Sequence, residues 1–129
     1  METITSRHNP LVAHLRRLAS SGSYRRERGE FLCDSPKLLH EALLHGAELL
    51  TVAATRGMAL PDGIHAGVRL VEVPEDVMQL ISPAKTPQGV VFTCRLPRTE
   101  CPQTLTGARY LALDGVQDPG NVGTILRTL

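Results

Sequence analysis

Short apolar runs alternate with stretches whose leucines recur at helical spacing, and nothing else in this sequence narrows the fold as far. Glu30–Asp34, with Phe31, Leu32 and Cys33 at its centre, reads as a short buried strand. Leu49–Thr55 and Gly89–Leu96 read the same way, and Val68–Val73 alternates apolar and polar residues as a half-buried strand does. Helical patterns lie between them. Leu11, Val12, Leu15 and Leu18 follow Asn9-Pro10, a good N-cap and a residue suited to the first helical position. This predicts a helix over Pro10–Ser20, with Arg16 and Arg17 on its other face and Ser21-Gly22-Ser23 ending it. Ser35-Pro36 opens a second helix, with Leu38, Leu39, Ala42 and Leu43 on one face and a stop at Gly46. Pro74–Ile81 predicts a short third helix with Val77, Leu80 and Ile81 inward, while Tyr24–Gly29 reads as a charged connector and Arg56–Gly67 as loop. Strands alternating with helices predict an α/β layered sandwich around a largely parallel sheet. With two Phe, two Tyr and no Trp, its core must be aliphatic.

Pro97–Gly107 holds two Pro, three Thr and one Gly and reads as an interdomain linker. Beyond it, Tyr110–Val116 is a strand candidate and Asn121–Leu129 a helix candidate. The expected division is a basic helical segment at 1–29, an α/β domain at 30–96, the linker at 97–107 and a further strand-helix unit at 108–129. The folded core is expected over Glu30–Leu96, preceded by the basic helix, with Tyr110–Leu129 loosely attached or paired with another molecule.

Charge is unevenly spread. Residues 1–29 carry Arg7, Arg16, Arg17, Arg25, Arg26 and Arg28 against Glu2 and Glu27, a net of +4 in a chain of net +1. Such a segment is either a nucleic-acid contact surface or a solvated helix face. The cysteines, Cys33, Cys94 and Cys101, form no C-x-x-C pair, so neither a disulfide framework nor a metal site is expected. His8, His14, His40, His45 and His65 are scattered, and His40 and His45, on or beside an apolar helix face, read as ordinary surface or packing residues. No run approaches the ~20 apolar residues of a membrane span, and the first ten residues lack an apolar signal core; a cytoplasmic location is expected.

The densest chemistry lies in Leu113-Asp114-Gly115-Val116-Gln117-Asp118-Pro119-Gly120-Asn121-Val122-Gly123-Thr124-Ile125-Leu126-Arg127. A strand would deliver a polar, glycine-rich loop to a helix start, where free N–H groups favour an anion. Arg127 could grip a phosphate in two-pronged fashion. A plain strand-turn-helix connection has the same composition, and neither standard nucleotide-binding fingerprint is present.

Over Leu113–Thr128 the run L-D-G-V-Q-D-P-G-N-V-G-T-I-L-R-T resembles the first signature motif of SpoU-type (TrmH-family) RNA methyltransferases. Ile4-Thr5-Ser6-Arg7-His8-Asn9-Pro10 resembles the family's opening. Arg25–Leu32 resembles its R-x-x-G-x-F segment, and Thr86-Pro87-Gln88-Gly89 the sequence that closes its amino-terminal domain. Where the family usually has Glu-Gly after the first strand, this chain has Cys33-Asp34-Ser35.

The resemblance implies an enzyme that transfers the methyl group of S-adenosylmethionine to a ribose 2′-hydroxyl in structured rRNA or tRNA, with no membrane partner. It implies a three-layer α/β/α sandwich like that of kink-turn-binding ribosomal proteins, followed by the first strand-helix unit of a truncated SPOUT knot domain. Arg127 and Asn121 take the catalytic positions; Arg7, Arg16, Arg17, Arg25, Arg26 and Arg28 are the RNA-contact candidates. The family's second and third motifs, which bind the cofactor in a trefoil knot, are not among these 129 residues. The chain alone is therefore expected to bind no cofactor and to be inactive, and the complete enzyme is expected to be a homodimer through its carboxy-terminal domain. A non-catalytic RNA-binding module is the alternative, and a small-molecule phosphate-binding protein a third reading.

Overall fold

The computed structural model describes residues 1–98, 100–101 and 103–129. Its elements run β1 Glu2–Thr3, α1 Pro10–Ser20, α2 Gly22–Arg28, β2 Glu30–Asp34, α3 Pro36–Leu44, β3 Leu49–Thr55, β4 Arg69–Val73, α4 Glu75–Ile81, β5 Val90–Arg95 and α5 Pro119–Thr128. They fall into two compact units, Met1–Arg98 and Thr99–Leu129. The linker expected at 97–107 includes Thr99 and Pro102, which lie outside the described residues.

The first unit is organised by a sheet of order β1-β4-β3-β5-β2. β4 pairs in parallel with both β1 and β3, whereas β5 pairs antiparallel with both β3 and β2. One strand therefore runs against the other four, and the largely parallel sheet expected from the sequence is corrected to a mixed one. The cause lies in the connections. A parallel neighbour requires a crossover of about a dozen residues, which the loop between β3 and β4 supplies. The connection through α4, although long enough for a crossover, brings the chain back to the end of the sheet where β4 left it. Thr55 N–H donates to Gly89 O there, and β5 departs in the opposite direction.

Both faces of the sheet are covered, as a sandwich demands. On one, Leu11, Val12, Leu15 and Leu18 of α1 and Val77, Met78 and Ile81 of α4 pack with Ile4, Ala53, Val71, Val73 and Val91. On the other, Leu39 of α3 packs with Val52, Ala54, Val90, Phe92 and Cys94. Ala53 faces one layer and its neighbours Val52 and Ala54 the other, the period of two that a strand imposes. The first helix is thus part of the core, and residues 1–29 are not set apart from 30–96.

Three other expectations change, and an edge strand is added. Tyr24–Gly29 is not a connector: it lies in α2, which starts at a Ser21 hydroxyl accepting from Tyr24 N–H and ends at Gly29 with φ 62°. None of its residues is buried, so no apolar period announces it. Met78, not Leu80, is the third buried residue of α4, and Leu38 is exposed. A two-residue strand, β1, joins the edge of the sheet. Finally, Tyr110–Val116 is not a strand, and Tyr110, Leu111, Leu113 and Val116 are exposed. An extended segment needs a neighbour for its N–H and C=O groups, and its own unit contains no second strand among the described residues.

The turn where this chain departs from Glu-Gly keeps a glycine-type backbone. Ser35 has φ 92° and ψ 143°, a region nearly closed to side chains, while its hydroxyl accepts from Leu38 N–H to cap α3. Strain of this kind costs about 1–3 kcal/mol, whereas losing a serine cap to glycine costs only a few tenths. Ser35→Gly is expected to raise the urea unfolding free energy by about 1 kcal/mol; an unchanged or lower value would show that Ser35 is unstrained.

Candidate nucleic-acid interface

α1 and α2 meet at a single residue. Ser21, extended at φ −125°, terminates α1 and caps α2, so the basic segment folds as two abutting helices. The junction leaves carbonyls at the end of α1 without helical partners. Arg25 reaches back from α2 and donates through Nη1 to Leu18 O at 2.6 Å and Ala19 O at 3.4 Å. A cation at a helix C-terminus is also favoured by the helix dipole. Arg25, read from sequence as an RNA contact, is therefore occupied within the fold.

Tyr24 forms the hub of a second set of contacts. Its hydroxyl hydrogen-bonds His14 Nδ1 at 2.9 Å, and His14 Nε2 meets Glu30 Oε2 at 3.0 Å. A neutral imidazole with its proton on Nε2 satisfies both: it donates to the Glu30 carboxylate and accepts from the phenol. The strut ties the start of β2 to α1 and α2. The Arg17 guanidinium lies 4.0 Å from the Tyr24 ring centroid, a cation–π distance, and that of Arg28 lies at 5.9 Å. His14, which the sequence shows only as one of five scattered histidines, is thus the centre of the strut. Its partners stand 10 and 16 residues away, so no local spacing reveals them.

The remaining arginines are free of carboxylates. Arg7, Arg16, Arg17, Arg26 and Arg28 make no ion pair among the described residues. All five are exposed. Elsewhere in the same unit Arg56, Arg69 and Arg95 are paired with Glu72, Glu2 and Glu48. The un-neutralised positive charge of the α1–α2 region is therefore a feature of pairing as well as of composition.

The second unit carries the glycine-rich run. Gly115 adopts φ 65°, and Asp118 caps α5 by accepting from Gly120 N–H at 2.8 Å. Arg127 donates to Thr124 Oγ1 at 3.5 Å and folds back along its own helix over Gly123. Asn121 and Arg127 are both exposed and are not brought together. Six helical residues separate them by about 120° around the axis and ~9 Å along it. No described residue of 103–129 is buried.

The cysteines are unpaired. Burial, with smaller contributions from Cys33 and Glu30, pushes the Cys94 thiol up to about 11; Cys33 is raised by burial and by Asp34. No metal-ligating cluster occurs among the described residues, and no helix there is long and apolar enough to cross a membrane.

Residues 9–91 match the family model of the MRM3-like substrate binding domain. The 23S rRNA (guanosine(2553)-2'-O)-methyltransferase RlmP of Bacillus subtilis is 27% identical over 128 residues, 99% of this chain and 50% of that protein. A solved structure from Porphyromonas gingivalis, assigned to the TrmH family, is similar at TM-score 0.73 and 38% identity, over 91% of this chain and 45% of that one. The AdoMet-bound rRNA methyltransferase from Sinorhizobium meliloti is similar at TM-score 0.64 and 26% identity, over 76% and 38% of the two chains. The chain spans about half the length of the curated relatives it matches first.

The two kinds of arginine should separate on substitution. Arg25→Ala leaves two helix-terminal carbonyls without their charged donor and is expected to lower unfolding free energy by about 1–2 kcal/mol. Arg26→Ala, on an exposed and unpaired side chain, is expected to change it by less than about 0.5 kcal/mol. Equal losses in urea titrations would refute this division.

Proposed function

The chain belongs to the family of MRM3-like substrate-binding domains, and on that premise we propose that Met1–Arg98 captures structured rRNA or tRNA for an enzyme that methylates a ribose 2′-hydroxyl. The observation that carries this reading is the set of five arginines on and beside α1 and α2 without carboxylate partners, in a unit whose other arginines are largely paired. Phosphate contacts of that kind give affinity and position without base readout. With few aromatic residues, recognition rests on backbone shape and 2′-hydroxyls more than on stacked bases.

S-adenosylmethionine, when bound by the complete enzyme, supplies the electrophilic methyl group. The residues of this chain hold the nucleophile's side of the reaction. Arg127 grips the phosphate beside the target ribose and orients the 2′-hydroxyl; a guanidinium carries hydrogen-bond donors and no acceptor, so its part is positioning rather than proton removal. Its folded-back position on α5 leaves it free to swing outward, since Thr124 Oγ1 is its one hydrogen-bond partner among the described residues. Asn121, at the start of the same helix, contacts the ribose independently.

Two outcomes follow. Removing Arg26 and Arg28 together should weaken RNA binding and flatten the dependence of log affinity on log salt by about 1.5, at 0.7–0.9 per lost phosphate contact. An unchanged slope in filter-binding titrations would make the surface a solvated one. In the full-length enzyme, Arg127→Ala should slow single-turnover methylation at saturating RNA and cofactor by on the order of a hundred- to a thousand-fold. Arg127→Lys should recover little of it, because a point charge lacks the planar two-pronged grip. A rate within a few-fold of wild type would reduce Arg127 to a structural helix residue.

A further inference from the structure

α1 and α4 pack side by side against one face of the sheet, and the seam between them opens outward as two adjoining cavities. One, of about 600 Å³, is bordered by Arg16, Arg17 and Pro83; the other, of about 360 Å³, by Arg7 and His8. Arg16 and Leu80 line both, so the two form one groove. Its size lies within the range of roughly 300–1,000 Å³ typical of small-ligand sites.

The groove exists because of what α1 and α4 put at their seam. Ala13, Arg16, Arg17 and Ser20 fall at i, i+3, i+4 and i+7 of α1, so two short side chains flank two long cationic ones on a single face. On α4, Val77, Met78 and Ile81 are buried, but Leu80 is only half-buried and packs on the edge of the core. Leu80, Pro83 and Ala13 therefore make an apolar floor beneath a rim of Arg7, Arg16 and Arg17. Among the described residues no acidic side chain lines either cavity. Arg17 is already held by the Tyr24 ring, and that ring by His14 and Glu30, so part of the rim is ordered before any ligand arrives.

An apolar floor within a cationic rim matches a ligand that is flat and apolar at its centre and anionic at its ends. We propose that this groove is a subsite for one unpaired nucleotide of the RNA. Its base lies on Leu80 and Pro83, beside the Arg16 guanidinium, and its two flanking phosphates lie against Arg7 and Arg17. A continuous duplex would use the rim but waste the floor, because its base faces are stacked inside the helix. The inference rests on the RNA-binding reading above and adds what the bound RNA must look like: a bulge or a loop, not a plain stem.

The test uses two RNA hairpins, identical but for one bulged 2-aminopurine in the stem, titrated into the chain with affinity and 2-aminopurine fluorescence read together. The bulged hairpin should bind about tenfold tighter or more, equivalent to about 1.4 kcal/mol, with the probe's fluorescence changing on binding. Leu80→Lys adds a positive charge but removes the floor. It should strengthen binding to the plain hairpin while collapsing the preference to within about twofold. Ala13→Leu, at an exposed helical position, narrows the groove without altering charge or burial and should also erase the preference, with the plain-hairpin salt slope unchanged. If both hairpins bind wild type equally, or if both variants keep the preference, the subsite is wrong while RNA binding stands. If neither hairpin binds, the RNA reading itself falls. Hexaglutamate competing as well as the bulged hairpin would assign the groove to an acidic peptide and overturn the proposal.

Discussion

Everything in the first unit follows from a sheet that is apolar on both faces and must be covered on both. β3 sets this requirement. Thr51, Val52, Ala53 and Ala54 are all buried, the alternate residues serving opposite layers. α3 covers one side and α1 with α4 the other. Once Leu11, Val12, Leu15 and Leu18 are committed to the sheet, helical geometry leaves Ala13, Arg16, Arg17 and Ser20 facing away from it. The charged surface is therefore oriented by the apolar one. The arginines do not choose their direction; the leucines between them do.

A basic surface has to resist self-repulsion as well as face outward, and here the chain uses its polar groups selectively. Arg25 is turned inward onto carbonyls that the helix junction would otherwise leave without partners. Tyr24 presents the negative face of its ring to Arg17, and Glu30 is spent on His14 and not on an arginine. The carboxylates that do neutralise arginines, Glu2, Glu48 and Glu72, pair with Arg69, Arg95 and Arg56, outside the α1–α2 region. The formal charge of the first 29 residues thus reaches solvent nearly undiminished, while the rest of the unit cancels much of its own. A segment whose arginines were bridged to neighbouring glutamates would have the same composition and a far weaker field.

The second unit obeys the same physics with less to work on. α5 has its cap, with Asp118 accepting from Gly120 N–H and Pro119 at the first helical position, and so its start is locally specified. Its apolar residues bury nothing fully, and the segment before it stays out of strand form. A helix can be dictated by its own first turn, because its hydrogen bonds close within four residues. A strand cannot, because its hydrogen bonds belong to a neighbour.

That distinction also divides what the sequence determined from what it could not. Asn9-Pro10 and Ser35-Pro36 define the starts of α1 and α3, and the runs at 30–34 and 49–55 are strands to the residue, because caps and apolar periods are local. The family motif and the basic character of the first 29 residues are likewise written in the chain. α2 was invisible because it buries no residue and so shows no period. The sense of β5, the rejection of Tyr110–Val116 as a strand, the diversion of Arg25, the His14 strut and the groove over Leu80 were decided only by tertiary structure. Each depends on groups far apart in sequence, or on space left between helices, and side-chain spacing along the chain carries no record of either.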